Sequence, residues 1–307
     1  LKSGKLREGK ITEQTDQYIK MECEGTSVTY FRDDIEVIEY NTEESAQKVP
    51  LSERKSPLWK VKSQRNIVYL LGSLHFAPKD LYPLNDIINE AFKISDVLAV
   101  EVNTNNVTDE QKQELVRRGT YTNGDTVQDH LSEETFTILK SQLAKMKVNI
   151  ATVLYFKPWL LSLQLAEKFF LQSGFSKEFG IDNHFLKRAR GLKDIVELET
   201  MNFQMNLISN WTDEEQDLLI RKDALEIDEM KRSIYLSIKA WERGNLKKME
   251  EMFFRVYREQ PEFSFIYERF FRDRNIKMAE KIEKFLLTDN VHFVVVGVGH
   301  LIGPGNI

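Results

Sequence analysis

Ile67-Val68-Tyr69-Leu70-Leu71 runs into Gly72-Ser73-Leu74-His75, and Phe293-Val294-Val295-Val296 runs into Gly297-Val298-Gly299-His300. Each is an all-apolar run of strand length followed by Gly-x-x-His. Runs of this kind read as strands buried on both faces of a sheet. In open α/β sheets, ligands bind outside the carboxyl ends of the strands. If the two strands share one sheet, His75 and His300 reach the same edge from opposite ends of the sequence. Paired imidazoles with carboxylates nearby make either a metal site or an acid–base site. The glycine three residues before each histidine permits a sharp backbone break and close approach of a ligand. The plainer alternative is that each histidine packs under a loop and caps its strand.

Two carboxylates repeat the theme. Glu101 follows the short apolar run Val97–Val100, and Glu199 follows Ile195–Leu198. Either is a candidate hard ligand or general base, or else a surface residue capping the next helix. Asp182, in Gly180-Ile181-Asp182, stands at a helix start, where N-capping is the default role. His184 lies two residues further on and could face the same cleft. Arg269, Arg272, Arg274 and Asn275 lie close together before the second strand. A guanidinium there could hold a substrate carboxylate or a developing oxyanion; a solvated helix face explains most of the charge equally well. His130, in a polar loop, and His292, at a strand start, read as structural.

The remaining pattern sets these residues in a fold. Residues 1–41 carry four short alternating segments with tight turns, around Lys5–Ile11, Tyr18–Cys23, Ser27–Phe31 and Ile35–Ile38. They read as a small β-barrel or meander. Residues 42–57 are polar, contain Pro50 and Pro57, and read as a linker. The main domain, 58–307, begins with a hairpin, Leu58–Lys62 and Ile67–Leu71 around Ser63–Asn66. A helix over Asn85–Ser95 and the strand Val97–Val100 follow. Thr108-Asp109-Glu110-Gln111 and Thr212-Asp213-Glu214-Glu215 are capping boxes. From Ser132 to Leu287 the pattern is almost wholly helical, interrupted by a short strand over Lys193–Leu198. The expectation is an α/β fold: a mixed sheet with helical cover and a large helical insertion, preceded by a small all-β unit.

Composition sets outer limits. The chain has 307 residues, 41% hydrophobic and 30% charged, as in an ordinary soluble globular protein. A net charge of −5 argues against nucleic acid as a partner. The single cysteine, Cys23, rules out an intrachain disulfide and Cys-based zinc sites. That suits a reducing compartment, and equally an envelope protein that needs no disulfide. No apolar run reaches membrane-spanning length. The sequence opens without Met, which is compatible with a removed signal peptide. No serine elbow, P-loop or His-Glu-x-x-His motif is present.

The quoted segments, with Leu58-Trp59-Lys60-Val61, Tyr82-Pro83-Leu84, Gly180–Phe185, Glu197-Leu198-Glu199, Arg274-Asn275 and Met278-Ala279, resemble the TraB/PrgY/GumN family, which includes the Tiki proteins. The resemblance spans about 58–303 and leaves out the N-terminal unit, which looks like a small SH3-like module. It implies a fold akin to the erythromycin-esterase/ChaN group. For Tiki proteins it implies divalent-metal-dependent peptide cleavage, carried here by His75, His300 and Glu101. Glu199 is a further candidate ligand and Arg274 a candidate catalytic residue. Asp182, His184 and Asn275 would support them from behind. Mn²⁺, Co²⁺ or Zn²⁺ would suit such a site, and the substrate would be a peptide or protein. Family habit places the protein outside the cytoplasm or in the cell envelope. Family members usually continue into another helix and strand where this sequence stops, at Ile307. Two alternatives stand beside the metallopeptidase: a non-catalytic peptide- or haem-binding protein of the same fold, and a metal-free hydrolase using the histidines as general bases.

Overall fold

The computed structural model describes residues 9–15, 17–23, 25–35 and 49–307, and the side chains of all of these except 226–232. The chain forms two compact units, Leu1–Lys48 and Val49–Ile307. In the first, β1 (Lys10–Gln14), β2 (Tyr18–Cys23) and β3 (Thr26–Phe31) form an antiparallel sheet in the order β1-β2-β3. The first strand lies later than the alternation of residues 5–11 suggests. The expected fourth strand, at Ile35–Ile38, lies outside the described residues from position 36 onward.

The second unit opens with the hairpin β4 (Leu58–Lys62) and β5 (Ile67–Ser73). Short β6 (Ala77–Pro78) leads to α1 (Asp86–Ile94), whose N-cap Asn85 accepts from the Ile87 N–H. Strand β7 (Val97–Val100) follows, then α2 (Asp109–Arg118), started by the Thr108 capping box and stopped at Gly119. Helices α3 (Glu133–Lys145) and α4 (Pro158–Gln172) come next, the latter with Pro158 in its first turn, where no N–H is missed. Then come β8 (Phe175–Ser176), α5 (Ile181–Ala189) and β9 (Asp194–Glu197). Four helices follow: α6 (Met201–Ser209), α7 (Asp213–Glu242), α8 (Leu246–Glu259) and short α9 (Ser264–Tyr267). A π-helical turn over Glu268–Arg272 joins α9 to α10 (Asp273–Phe285), and β10 (His292–Gly297) closes the sheet.

The five-stranded sheet has the order β4-β5-β10-β7-β9. Strand β4 is antiparallel to β5, and the other neighbours are parallel. The mixed sheet with helical cover is therefore present. The first and last strands of the parallel part, β5 and β10, lie side by side, with Val296 opposite Gly72 and Gly297 opposite Ser73. Side chains alternate across this sheet as strand geometry requires. Val68, Leu70, Ala99, Val294 and Val296 pack with Met278 and Ile282 of α10 on one face. Tyr69, Leu71, Leu98, Val100, Phe293 and Val295 pack with α1 and α5 on the other. The helical insertion builds cores of its own. Leu139 and Leu143 of α3 meet Leu161 and Leu165 of α4 and Ile220 of α7.

Residues 49–57 belong to this unit and are not linker. Arg54 is buried, pairs with Glu242 at 2.8 Å, and donates to the carbonyls of Val49, Leu81 and Pro83. A polar segment with no periodicity can still be fixed when its one long side chain finds a full set of partners. No helix among the described residues is long and apolar enough to cross a membrane.

Candidate functional site

The register of β5 on β10 brings both Gly-x-x-His segments to one edge of the sheet. Beside them, β7 ends at Val100 and delivers Glu101, while β9 ends at Glu197 and delivers Glu199 two residues later. The first turn of α5 brings Asp182 and the first turn of α10 brings Arg274 and Asn275.

Each imidazole is held by its Nδ1. His75 Nδ1 lies 2.9 Å from Asp182 Oδ2, and His300 Nδ1 lies 2.6 Å from Asn275 Oδ1. An ionised carboxylate only accepts, so His75 donates through Nδ1. Asn275 Nδ2 donates to the Gly305 carbonyl at 2.8 Å, which turns Oδ1 toward His300 and makes that Nδ1 a donor too. Both rings thus direct Nε2 elsewhere. His300 Nε2 lies 3.8 Å from Glu101 Oε1. A Cβ placed on Gly297 would stand 3.2 Å from His75 Nε2 and 3.3 Å from Glu101 Oε1. One imidazole nitrogen and a carboxylate oxygen therefore converge over a residue that has no side chain, with the His300 ring carbon Cδ2 3.6 Å from the same point. Gly297 has φ −49° and ψ 132°, angles open to other residues. Space, not backbone freedom, is what this glycine supplies. Gly180 serves the same end, since a Cβ there would clash with the His75 carbonyl oxygen.

Arg274 organises the carboxylates. Its Nε and Nη2 donate to the two oxygens of Glu199 at 2.8 and 2.7 Å, and Nη2 also donates to Glu101 Oε2 at 2.6 Å. Nη1 is spent on the Phe270 carbonyl. With all three nitrogens engaged and the side chain buried, Arg274 is a clamp and does not point a free guanidinium at substrate. Glu199, the further candidate ligand, accepts a hydrogen bond from the Arg274 guanidinium on each of its carboxylate oxygens. Glu101 keeps Oε1 toward the imidazoles, where it also accepts from the Gly297 N–H at 2.7 Å.

Protonation follows from these neighbours. The charge of Asp182, and the hydrogen bond to it, hold the His75 imidazole up at about 9. Burial pushes His300 down to about 4, against the pull of Glu101. Burial also works to raise Glu101, but His300, Arg274, His75 and the Gly297 N–H outweigh it and hold the carboxyl down at about 2. With His300 neutral at pH 7, the charges of Arg274 and protonated His75 keep Glu101 ionised. The His75 side chain is 59% exposed, whereas those of His300 and Glu101 are 5% and 8% exposed. Solvent reaches the cluster from the His75 side.

Not every candidate joins. His184 packs at a tilt against Tyr82 with ring centroids 4.6 Å apart, and its Nε2 takes a hydrogen bond from Arg188 at 3.3 Å. Two residues along a helix place side chains on different faces, so Asp182 meets His75 and His184 does not. Arg269 donates to the Asn210 carbonyl and stacks over Trp211, and Arg272 pairs with Glu268. His130 bridges Asp125 and Asp213, a structural role. Two contributors carried no signal in the sequence. Gln204 donates to Glu199 at 3.0 Å and to Glu101 at 3.3 Å, and Ser73 donates to Asp182 at 2.8 Å.

Among the described residues, no three His, Cys, Asp or Glu side chains are already gathered closely enough to hold a metal ion. The donor chemistry nevertheless suits one. Two imidazoles fixed through Nδ1 present Nε2 as donors, which is how histidine ligands are oriented, and one carboxylate oxygen joins them.

The pattern that defines the TraB/PrgY/gumN family matches residues 57–307 and so takes in the whole sheet and every residue of this cluster. An uncharacterized protein of Treponema pallidum (strain Nichols) is 21% identical over 271 residues, covering 84% of this chain and 80% of the relative. No solved structure matches. The match takes in most of the chain, and the chain belongs to the TraB/PrgY/gumN family.

Proposed function

We propose that this chain is a divalent-metal-dependent hydrolase acting on peptide bonds, with His75, His300 and Glu101 as the residues that hold the metal. One observation carries the reading: Nε2 of His75 and Oε1 of Glu101 meet over Gly297, with His300 Nε2 beside Glu101. The choice of peptide as substrate is supported by the resemblance to Tiki proteins. Imidazole and carboxylate donors together suit Mn²⁺, Co²⁺ or Zn²⁺. Bound there, such an ion would polarise a carbonyl and acidify water.

The chain's own residues do the rest. Asp182 and Asn275 fix the tautomer and direction of each ring. Arg274 and Gln204 tie Glu101 to Glu199, so that the Glu101 carboxylate keeps one orientation. Arg274 neutralises about one of the two carboxylate charges and leaves the other to face the imidazoles. The raised proton affinity of His75 makes ligand binding pH-dependent, since its Nε2 must shed a proton to act as a donor.

The test is cleavage of a mixed peptide pool by the full chain, with and without added Mn²⁺ and with chelator. We expect metal-stimulated cleavage, reduced at least a thousandfold in His75→Ala and in His300→Ala at unchanged circular dichroism. Turnover that persists in a well-folded double variant would refute the proposal. Activity untouched by chelator would favour metal-free hydrolysis, and retained ligand without product would favour a binding protein.

A further inference from the structure

A groove of about 780 Å³ runs beside the cluster but shares none of its three converging residues. Tyr82, Leu84 and Phe179 supply its apolar wall, and Lys79, Lys187 and Arg188 its charge. Glu178 is the one acid in the lining, and it faces Lys187 at 3.9 Å. Arg188 is the distinctive member. Its Nη1 donates to Asn89 Oδ1 at 2.7 Å and to His184 Nε2 at 3.3 Å, both neutral acceptors. The guanidinium lies over Phe92 and Phe185 at 4.6 and 5.4 Å. Among the described residues no carboxylate pairs with it. Burial alone disturbs its proton affinity, and it does so downward.

A guanidinium that is partly desolvated, fixed by stacking and left without an acid is poised for an anion from outside. Its planar fork matches a carboxylate in two-point contact, and its pinned geometry keeps the ordering cost of binding low. The aromatic wall asks for an apolar group beside that anion. We propose that the groove binds a carboxylate carried next to an aromatic or aliphatic side chain, as at the free C-terminal end of a peptide. The identity of the natural occupant rests on the peptidase reading. The binding itself does not, because none of the residues that face Gly297 takes part. The groove and the cluster are linked through α5. Asp182 in its first turn touches His75, and His184, Lys187 and Arg188 further along line the groove. A peptide end held by Arg188 would be delivered close to the open His75 side.

The experiment uses the full metal-free chain and two probes, N-acetyl-phenylalanine and its C-terminal amide, titrated by NMR with inorganic phosphate as a competitor. The acid should bind at least about tenfold tighter than the amide, roughly 1.4 kcal/mol, and shift the Tyr82 and His184 ring signals. In Arg188→Gln the preference should fall below twofold. Wild type with no preference for acid over amide overturns the proposal without any variant being needed. So does a preference that survives Arg188→Gln, a shift confined to His75 and His300, or phosphate binding in place of the acid. Loss of this binding would leave the metal cluster untouched. Failure of the cleavage test would leave this binding equally untouched.

Discussion

At the scale of single residues, the cluster depends on a missing methyl group. Gly297 lies beneath the point where His75 and Glu101 meet, and its backbone angles suit alanine as well as glycine. Gly297→Ala is therefore a clean steric probe: it adds a Cβ at 3.2 Å from His75 Nε2 with no backbone penalty. We expect roughly ten- to a hundredfold weaker Mn²⁺ binding by calorimetry, with a melting temperature close to wild type. Unchanged affinity would mean that the ion does not sit over Gly297. His75, His300 and Glu101 were legible in the sequence because each stands directly after an apolar strand, where position along the chain fixes position in space. Gln204 was not legible. It sits on α6, a short helix of mixed apolar and amide residues whose approach to Glu101 and Glu199 depends on tertiary packing. The engagement of Arg274 was hidden for the same reason, since a run of arginines looks alike whether it faces water or a buried carboxylate pair.

At the scale of elements, α5 divides the chemistry. Its first turn serves the cluster through Asp182, and its remainder serves the groove through His184, Lys187 and Arg188. The capping boxes at Thr108 and Thr212, the proline start of α4 and the hairpin β4–β5 were readable because local chemistry alone dictates them. The two-residue strands β6 and β8 and the π-helical turn were not, since only tertiary contact selects them. The neutral His184 in α5 makes a pH prediction. Burial, and then the charges of Arg188 and Lys187, push its imidazole from 6.5 down to about 4. Above pH 6.5 the ring is neutral in both folded and unfolded chains. Between 6.5 and 4 the unfolded chain takes up a proton that the folded chain resists, so the stability present above 6.5 is lost as pH falls through 4. The open groove screens the ring, so about 1–2 kcal/mol is the expected size. Urea unfolding at pH 7 and pH 4.5 should show a smaller loss in His184→Gln than in wild type, and equal losses would refute the assignment.

At the scale of the whole second unit, the segment 49–57 joins parts far apart in sequence. It lies almost entirely before the family match, which starts at 57. Yet Arg54 pairs with Glu242 at the end of α7, and the backbone N–H groups of Lys55 and Ser56 donate to the Glu242 carbonyl. One residue earlier, Trp241 Nε1 donates to the Gly72 carbonyl at 2.7 Å, at the strand end that leads to His75. The segment therefore fastens the last turn of the longest helix against the edge where the cluster is built. Side chains of Arg54 and Glu242 are 5% and 3% exposed, so neither charge has water to fall back on. Removing one partner of a buried pair costs about 3–5 kcal/mol, whereas replacing both by apolar side chains of similar volume is close to neutral. Arg54→Met should lose about that much in chemical denaturation, softened where Lys239, 3.4 Å from Glu242, takes over part of the pairing. Arg54→Met with Glu242→Met should recover most of the loss. A double variant as unstable as the sum of the singles would show that the carbonyl contacts of Arg54, and not the ion pair, hold the segment down.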